Sequence, residues 1–218
     1  MKSTEKPLNT GVIAVITGDI VGSSKLSGSD FSQVMGSLER LLKTLRARYG
    51  AEFDIFRGDS FQVVSPLPSA ATLATLIDLS LRSGDPAVTV RQCIGIGTGE
   101  TGGQAVKTAT GEAYSLSGHG LDSLKGRGLS IVSGNHNFNQ HIGLLTRFYD
   151  SHLDRLTSTQ AQVVLAYLMT DNKSHEHLAR VLDKKRSNVT RILNTSQYHL
   201  ISDYLDDFAA QVTKDFTA

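Results

Sequence analysis

The stretch that most constrains the fold is Val12–Ser24, with the sequence VIAVITGDIVGSS. Its apolar run is too short and too β-branched for a helix, and Gly18 interrupts it directly before Asp19. Asp19 is therefore predicted to end a buried strand. Gly22, Ser23 and Ser24 follow, and their small side chains let backbone N–H groups approach an anion. A helix is predicted to start after this turn. Two interpretations stay open: a metal and phosphate corner, or an acidic residue that only turns the chain.

The composition is that of an ordinary globular protein, with 218 residues, of which 39% are apolar and 20% charged. A formal net charge of +1 excludes a globally basic nucleic-acid-binding protein but allows a local basic patch. Cys93 is the single cysteine, so no internal disulfide forms, and we expect it in the core. Because the sequence has no cationic leader and no apolar run of membrane-spanning length, it predicts a cytoplasmic protein without a membrane partner.

The pattern of residues 1–134 predicts the element order β, α, β, β, α, β, α, β. Amphipathic helices are predicted over 31–49, 70–81 and 111–125, a hairpin over 52–65, and strands over 88–97 and 129–133. This order is typical of an α+β fold in which helices cover one face of a mainly antiparallel, ferredoxin-like or palm sheet. The hairpin turns at Gly58-Asp59, so this topology would bring Asp59 next to Asp19.

Glycine recurs at alternate positions at Gly95, Gly97 and Gly99, inside and after a predicted strand. A dinucleotide-binding motif would need a GxGxxG turn that opens a helix, which this segment lacks. We expect these glycines to leave room for a ligand or for a facing helix.

Two motifs resemble those of class III nucleotidyl cyclases: Asp19–Ser24 is similar to their first metal motif, and Arg57–Phe61, RGDSF, to their Gly-Asp hairpin. The whole pattern most resembles the SatD family of bacterial proteins, which share that palm. The resemblance implies that Asp19, Asp59 and the Ile20 carbonyl hold two divalent ions, Mg²⁺ or Mn²⁺, against a nucleoside triphosphate. It also implies nucleotide contacts from Val21, Gly22, Ser23, Ser24, Gly58, Lys125 and Arg127.

The chain departs from the cyclases in the residues of catalysis. In that family an Asn and an Arg orient the ribose and offset transition-state charge, and the equivalent helix here, over 114–124, contains neither type. Ile55 stands where the cyclases carry a purine-selecting Lys. An active cyclase would need the missing groups from a second copy of the chain, and we predict a homodimer.

A change of composition to Asn, His and Gln over 134–142 predicts a boundary after a palm domain at 1–134. An apolar stripe predicts a connecting helix over 135–156, and 157–218 is predicted to form a small all-α helix-turn-helix domain. The second helix of that motif would present residues suited to phosphate and base-edge contacts: Lys184, Lys185, Arg186, Ser187, Asn188, Thr190 and Arg191. An ordinary helical hairpin with a solvated charged face is the alternative.

The preferred interpretation is a nucleotide-responsive transcriptional regulator, with a nucleotide- and metal-binding palm fused to a module that binds double-stranded DNA. The alternative is an active nucleotidyl cyclase or palm-type nucleotidyltransferase that uses two divalent metals, in which the C-terminal helices dimerise or regulate. A third interpretation is a palm that has kept its shape and lost its ligand.

Overall fold

The computed structural model describes residues 9–56, 58–101, 106, 109–126 and 128–217. Arg57 and Arg127 therefore lie outside the described residues. The first part of the chain contains β1 Asn9–Ile20, α1 Gly28–Tyr49, β2 Glu52–Phe56, β3 Ser60–Ser65, α2 Ala70–Arg82, β4 Val90–Thr101, α3 Glu112–Ser123 and β5 Gly128–Ser133. Single 3₁₀ turns precede α1 and α2, at Ser23–Lys25 and Leu67–Ser69.

Helices make up the rest of the described chain: α4 His136–Asp154, α5 Ser158–Met169, α6 His175–Val181, α7 Arg186–Thr195 and α8 Tyr198–Phe216. Capping side chains begin several of them, including Asn135 before α4 and Thr157 before α5, each accepting a backbone N–H of the first turn. None of the helices in the described part of the chain combines the length and the apolar composition needed to cross a bilayer.

Within the described residues, five strands form one sheet in the order β2-β3-β1-β4-β5. The central strand β1 pairs antiparallel with both β3 and β4, and only the pair β4 and β5 is parallel. The predicted α+β class with a mainly antiparallel sheet is confirmed. This order also places the β2–β3 hairpin beside β1, with Asp19 opposite Ser60.

Side chains of β1 alternate between two layers, as strand geometry requires. Ala14 and Ile16 join the main core, which also contains the buried residues of α1 and α2. Ile13 and Val15 join a smaller cluster with Ala113 of α3. The sequence pattern predicted helices on one face of the sheet, but α3 covers the face opposite α1 and α2.

Glycine lets α3 approach β4 closely. A Cβ at Gly95 would lie 2.3 Å from the carbonyl oxygen of Ala113 and 2.5 Å from the backbone nitrogen of Ser117. Conversely, a Cβ at Gly120 of α3 would lie 2.2 Å from the sulfur of buried Cys93. The strand glycines therefore make room for a facing helix, which is one of the two roles expected for them.

The helices after β5 pack on the palm and on one another. Asp150 of α4 accepts the backbone N–H of Leu129 in β5 at 3.0 Å, α5 packs against α2, and α8 packs against α4. One hydrophobic core consequently runs from Ala14 in β1 to Val212 in α8. Helix α4 occupies most of the segment in which a connecting helix was predicted, while the division into domains stays a prediction.

Candidate functional site

The candidate nucleotide corner lies where β1 ends beside the start of β3. The backbone N–H of Ile20 donates to the carbonyl oxygen of Asp59 at 3.3 Å, directly after Asp19 pairs with Ser60. On the other side, the N–H of Val21 donates to Thr89 at 2.9 Å. The backbone therefore holds Asp19 and Asp59 at neighbouring strand ends, as the predicted topology requires.

The Asp19 carboxylate forms an ion pair with Arg91. Arg91 lies opposite Asp19 on β4, and its Nε and Nη2 donate to the two oxygens of Asp19 at 2.7 and 2.8 Å. Such a bidentate arrangement is the strong form of the Arg–carboxylate pair. Nη1 also donates to the carbonyl oxygen of Leu124, just after α3, at 3.1 Å. The pKa of Arg91 is raised, chiefly by its hydrogen bonds to Asp19.

The sequence did not identify Arg91 as a site residue. Its side chain is 32% exposed and that of Asp19 is 17% exposed, so the ion pair is partly shielded from water. The only sequence signal was a charged residue near one end of each of two largely apolar strands, Asp19 near the end of β1 and Arg91 near the start of β4. Their pairing depends on the register between β1 and β4, which no local pattern contains.

Asp59 is also engaged within the chain. The hydroxyl of Ser23 donates a short hydrogen bond to Oδ2 of Asp59. Gly22 permits this approach by adopting a left-handed conformation, with φ of 72°, at the entry to the 3₁₀ turn. Ser27 then caps α1 by accepting the N–H of Asp30 at 3.1 Å. The predicted phosphate turn is thus fixed at both ends.

The remaining predicted nucleotide contacts surround this corner unevenly. Val21, Gly22 and Ser24 are exposed, and Gly58 forms the hairpin tip with φ of 85°. Lys125 is exposed and directly follows Leu124, the residue whose carbonyl binds Arg91. The backbone of Lys125 therefore lies next to a residue that contacts Arg91, its nucleotide contact stays a prediction, and Arg127 falls outside the described residues.

A divalent ion would find only oxygen donors at this corner, the carboxylates of Asp19 and Asp59 and the Ile20 carbonyl. Such donors have the chemistry that Mg²⁺ and Mn²⁺ prefer. In the arrangement described, however, Arg91 uses both oxygens of Asp19. Among the described residues there is also no group of three His, Cys, Asp or Glu side chains placed to hold a metal. An ion at Asp19 would therefore compete with the guanidinium of Arg91 for the two carboxylate oxygens.

The candidate DNA-contacting element is α7, which follows α6 after a short turn. Asp183 adopts the left-handed conformation in this turn, with φ of 50°, where a glycine is often found. The N–H of Lys184 then donates to the carbonyl oxygen of Ala179 at 2.8 Å. Because the sequence lacks glycine there, it predicted a slightly different turn, but Asp183 takes the left-handed conformation that glycine usually supplies, so that prediction is wrong.

The two faces of α7 differ sharply in polarity. Its inner face is buried through Val189, Ile192 and Leu193. The residues predicted to contact DNA mostly lie on the outer face: Lys185, Arg186, Ser187, Asn188 and Arg191 are exposed, whereas Lys184 and Thr190 are half-buried. No acidic residue occurs in α7.

Two side-chain contacts order this outer face. The hydroxyl of Thr190 is hydrogen-bonded to Nδ1 of His175 at 2.8 Å, which ties α7 to the start of α6. Arg191 Nη2 donates to Oδ1 of Asn188 at 3.0 Å, one turn earlier on the same helix. Thr190 is thus occupied within the protein, while Arg186 and Arg191 extend toward solvent.

Comparison with solved structures finds nucleotide cyclase domains. The adenylyl cyclase CyaB from P. aeruginosa matches with a TM-score of 0.47 and 16% identity, over 64% of this chain and 84% of that chain. The guanylyl cyclase Cya2 gives a TM-score of 0.44 and 17% identity, over 59% and 77% of the two chains. The dimeric guanylyl cyclase domain of RhoGC from the fungus Blastocladiella emersonii matches with a TM-score of 0.45 and 17% identity, over 58% of this chain and 82% of that chain. These similarities concern the fold alone. A scan against protein-family models and a search of curated proteins both found no match.

Proposed function

We propose that this chain is a nucleotide-responsive DNA-binding regulator. Its palm binds a nucleoside triphosphate with Mg²⁺ or Mn²⁺ at the corner of Asp19 and Asp59, and α7 binds double-stranded DNA. One observation carries the proposal: α7 buries its apolar side completely and presents to solvent a face that is basic and polar, without an acidic residue.

The outer face of α7 has the chemistry that DNA requires. Arg186, Arg191 and Lys185 supply positive charge for phosphate groups, and Asn188 and Ser187 can hydrogen-bond to base edges. The amino end of α7, where Lys185, Arg186 and Ser187 lie, also carries the partial positive charge of the helix dipole. With α6 and the turn at Asp183, α7 would act as the recognition helix of a helix-turn-helix motif.

A nucleotide with its metal suits the corner because it can exchange with both halves of the Asp19–Arg91 ion pair. The triphosphate offers an anion to Arg91, and the metal offers a cation to Asp19, so neither of these partly buried charges is left unpaired. The N–H groups of Gly22, Ser23 and Ser24 would add phosphate contacts, whereas the N–H of Val21 already donates to Thr89. The sequence resemblance to the SatD family supports the same assignment of the palm.

The DNA half is tested by fluorescence anisotropy of a labelled duplex of mixed sequence. The double variant Arg186→Ala/Arg191→Ala is expected to lose at least tenfold in affinity, because both cations are exposed and would neutralise phosphates. A matched control is Arg40→Ala/Lys43→Ala, which removes two exposed cations from α1. Equal affinity in the wild type and both variants would refute the assignment of α7.

The nucleotide half is tested by calorimetry with each of the four ribonucleoside triphosphates and Mg²⁺, on the wild type and Asp19→Ala. Binding in the wild type that is lost in Asp19→Ala, without release of pyrophosphate, supports a sensor. If none of the four nucleotides binds, the palm is not a nucleotide site and that half of the proposal is wrong.

A second candidate function is an active nucleotidyl cyclase or palm-type nucleotidyltransferase. The adjacent strand ends that hold Asp19 and Asp59 favour it, since two-metal catalysis needs carboxylates at one place. Helix α3 supplies neither Asn nor Arg, so those groups would have to come from a second copy of the chain. This function predicts metal-dependent release of pyrophosphate that is lost in both Asp19→Ala and Asp59→Ala.

A further inference from the structure

An open apolar groove lies between α4 and α8, and none of the residues assigned to the nucleotide corner or to the outer face of α7 lines it. Leu145 and Phe148 of α4 form one wall, and Leu200 of α8 stands on the other. Asp203 and Asp207 of α8 lie at its rim. Nothing in the proposed nucleotide or DNA binding uses this surface.

The floor of the groove is rigid. Tyr149 and Tyr204 stack there with ring centroids 3.9 Å apart and an interplanar angle of 16°. Their hydroxyl groups are hydrogen-bonded to Thr75 at 2.7 Å and to Thr146 at 2.8 Å. A surface whose side chains are already fixed loses little conformational entropy when a partner binds.

The walls of the groove expose large apolar side chains to solvent. Phe148 is 69% exposed, and Leu200 and Leu145 are 48% and 38% exposed. A single exposed apolar residue is ordinary, but a contiguous set across two adjacent helices is typical of an interaction surface. Phe148 is an aromatic anchor of the kind found in binding hot spots.

We propose that the groove between α4 and α8 binds the same groove of a second copy of this chain, across a two-fold axis. Each copy carries both the exposed ring of Phe148 and the apolar groove that this ring lines, so two copies related by a two-fold axis would exchange these rings. The charges also suit such a pairing, since Asp203 and Asp207 line the groove from α8, while exposed Arg155 caps α4 one turn after His152, which lines the groove as well. Self-complementarity of this kind is what an isologous dimer interface requires.

The same features argue against other occupants. DNA would be repelled by the two aspartates at the rim, and a small ligand would leave the projecting ring of Phe148 in water. A two-fold dimer would also relate two α7 helices by symmetry, as binding to two DNA half-sites requires. The dimer itself rests on neither the nucleotide nor the DNA proposal.

The test is sedimentation equilibrium of the full chain without nucleotide or DNA, over a wide range of protein concentration. The wild type is expected to be a dimer, and Phe148→Glu to weaken dimerisation at least tenfold. The matched control is Val181→Glu, because Val181 of α6 is 62% exposed and lies outside the groove. Melting temperatures and circular dichroism are recorded for every variant to confirm that each one folds.

A charge exchange makes the test specific for this surface. Arg155→Asp and Asp203→Arg are each expected to weaken the dimer, and the double variant to restore it, because the two charges would then meet with reversed signs. A wild type that stays monomeric at its highest soluble concentration would overturn the proposal. So would equal effects of Phe148→Glu and Val181→Glu, or a double variant no stronger than the single ones.

Discussion

The nucleotide corner and the outer face of α7 both concentrate polar residues, but they satisfy them in opposite ways. At the corner, Asp19 is paired with Arg91 and Asp59 accepts a hydrogen bond from Ser23, so both carboxylates already have a partner within the chain. On α7, Arg186 and Arg191 extend into solvent from a helix without an acidic residue.

The two surfaces therefore differ in the contacts that a ligand must replace when it binds. A ligand at the corner must replace internal contacts, so only one that offers both an anion and a cation compensates for what it breaks. A ligand on α7 displaces mainly water and counterions. The first arrangement favours a conditional, selective response, and the second favours a surface that is always available.

The largest expected effect comes from removing the support of the corner. In Gly95→Ala the new methyl group meets the backbone of α3, whose C-terminal end supplies the Leu124 carbonyl to Arg91. We expect a loss of about 3 kcal/mol in the free energy of unfolding, measured by urea denaturation. Gly118→Ala on the same helix is the control, because open space surrounds it. It should be neutral or up to about 1 kcal/mol more stable.

A smaller effect distinguishes the matched charges of the corner from the free charges of α7. Arg91→Ala leaves the Asp19 carboxylate partly buried and unpaired, so we expect a loss of about 1–2 kcal/mol, moderated by partial exposure. Arg191→Ala should change stability by no more than about 0.5 kcal/mol. In a double-mutant cycle, Asp19→Ala/Arg91→Ala should cost less than the sum of the two single variants. Strict additivity would show that the ion pair contributes nothing.

The salt dependence of DNA binding tests the open charges of α7 directly. Each phosphate contact contributes roughly 0.9 to the slope of log affinity against log salt, so Arg186→Ala/Arg191→Ala should flatten the slope by about 2. The measurement is a set of anisotropy titrations at several salt concentrations. An unchanged slope would mean that neither arginine contacts a phosphate.

The smallest effect concerns Asp150, which links β5 to α4 through the N–H of Leu129. Burial raises its pKa above the ordinary value of 3.8, so the folded protein holds the proton more tightly than the unfolded chain does. Its contribution to stability is therefore greatest in acid, and it is lost as the pH rises through the folded pKa.

Asp150→Asn keeps the acceptor oxygen for Leu129 and removes the charge. It should melt at a higher temperature than the wild type at pH 7, and the difference should vanish in acid. Thermal melts recorded from acid to pH 7 check the prediction, with Asp206→Asn as an exposed control on α8. A variant that is less stable at pH 7 would contradict it.

Local features of the fold were predictable from the sequence. The apolar run before Asp19 forms a strand that ends at Ile20, and the periodicity after Phe31 matches a helix that ends at Tyr49, directly before Gly50. The placement of Asp19 beside Asp59 followed from a hairpin next to the first strand. These features depend on nearby residues and on a common topology.

Features that depend on distant pairing were not predictable. The Asp19–Arg91 ion pair requires the register of β1 with β4, and the position of α3 requires the close approach at Gly95. The groove between α4 and α8 depends on the packing of the C-terminal helix α8 against α4 and α2. A single sequence shows the polarity of each segment but not which segments meet.

The most direct test of the central claim is whether a nucleotide at the corner changes the affinity of α7 for DNA. Anisotropy titrations of a labelled duplex are made with and without each ribonucleoside triphosphate and Mg²⁺, on the wild type and Asp59→Asn. The account predicts that at least one nucleotide changes the dissociation constant about fivefold or more in the wild type, and that the variant does not respond. Identical DNA affinity in the presence and absence of all four nucleotides would contradict it.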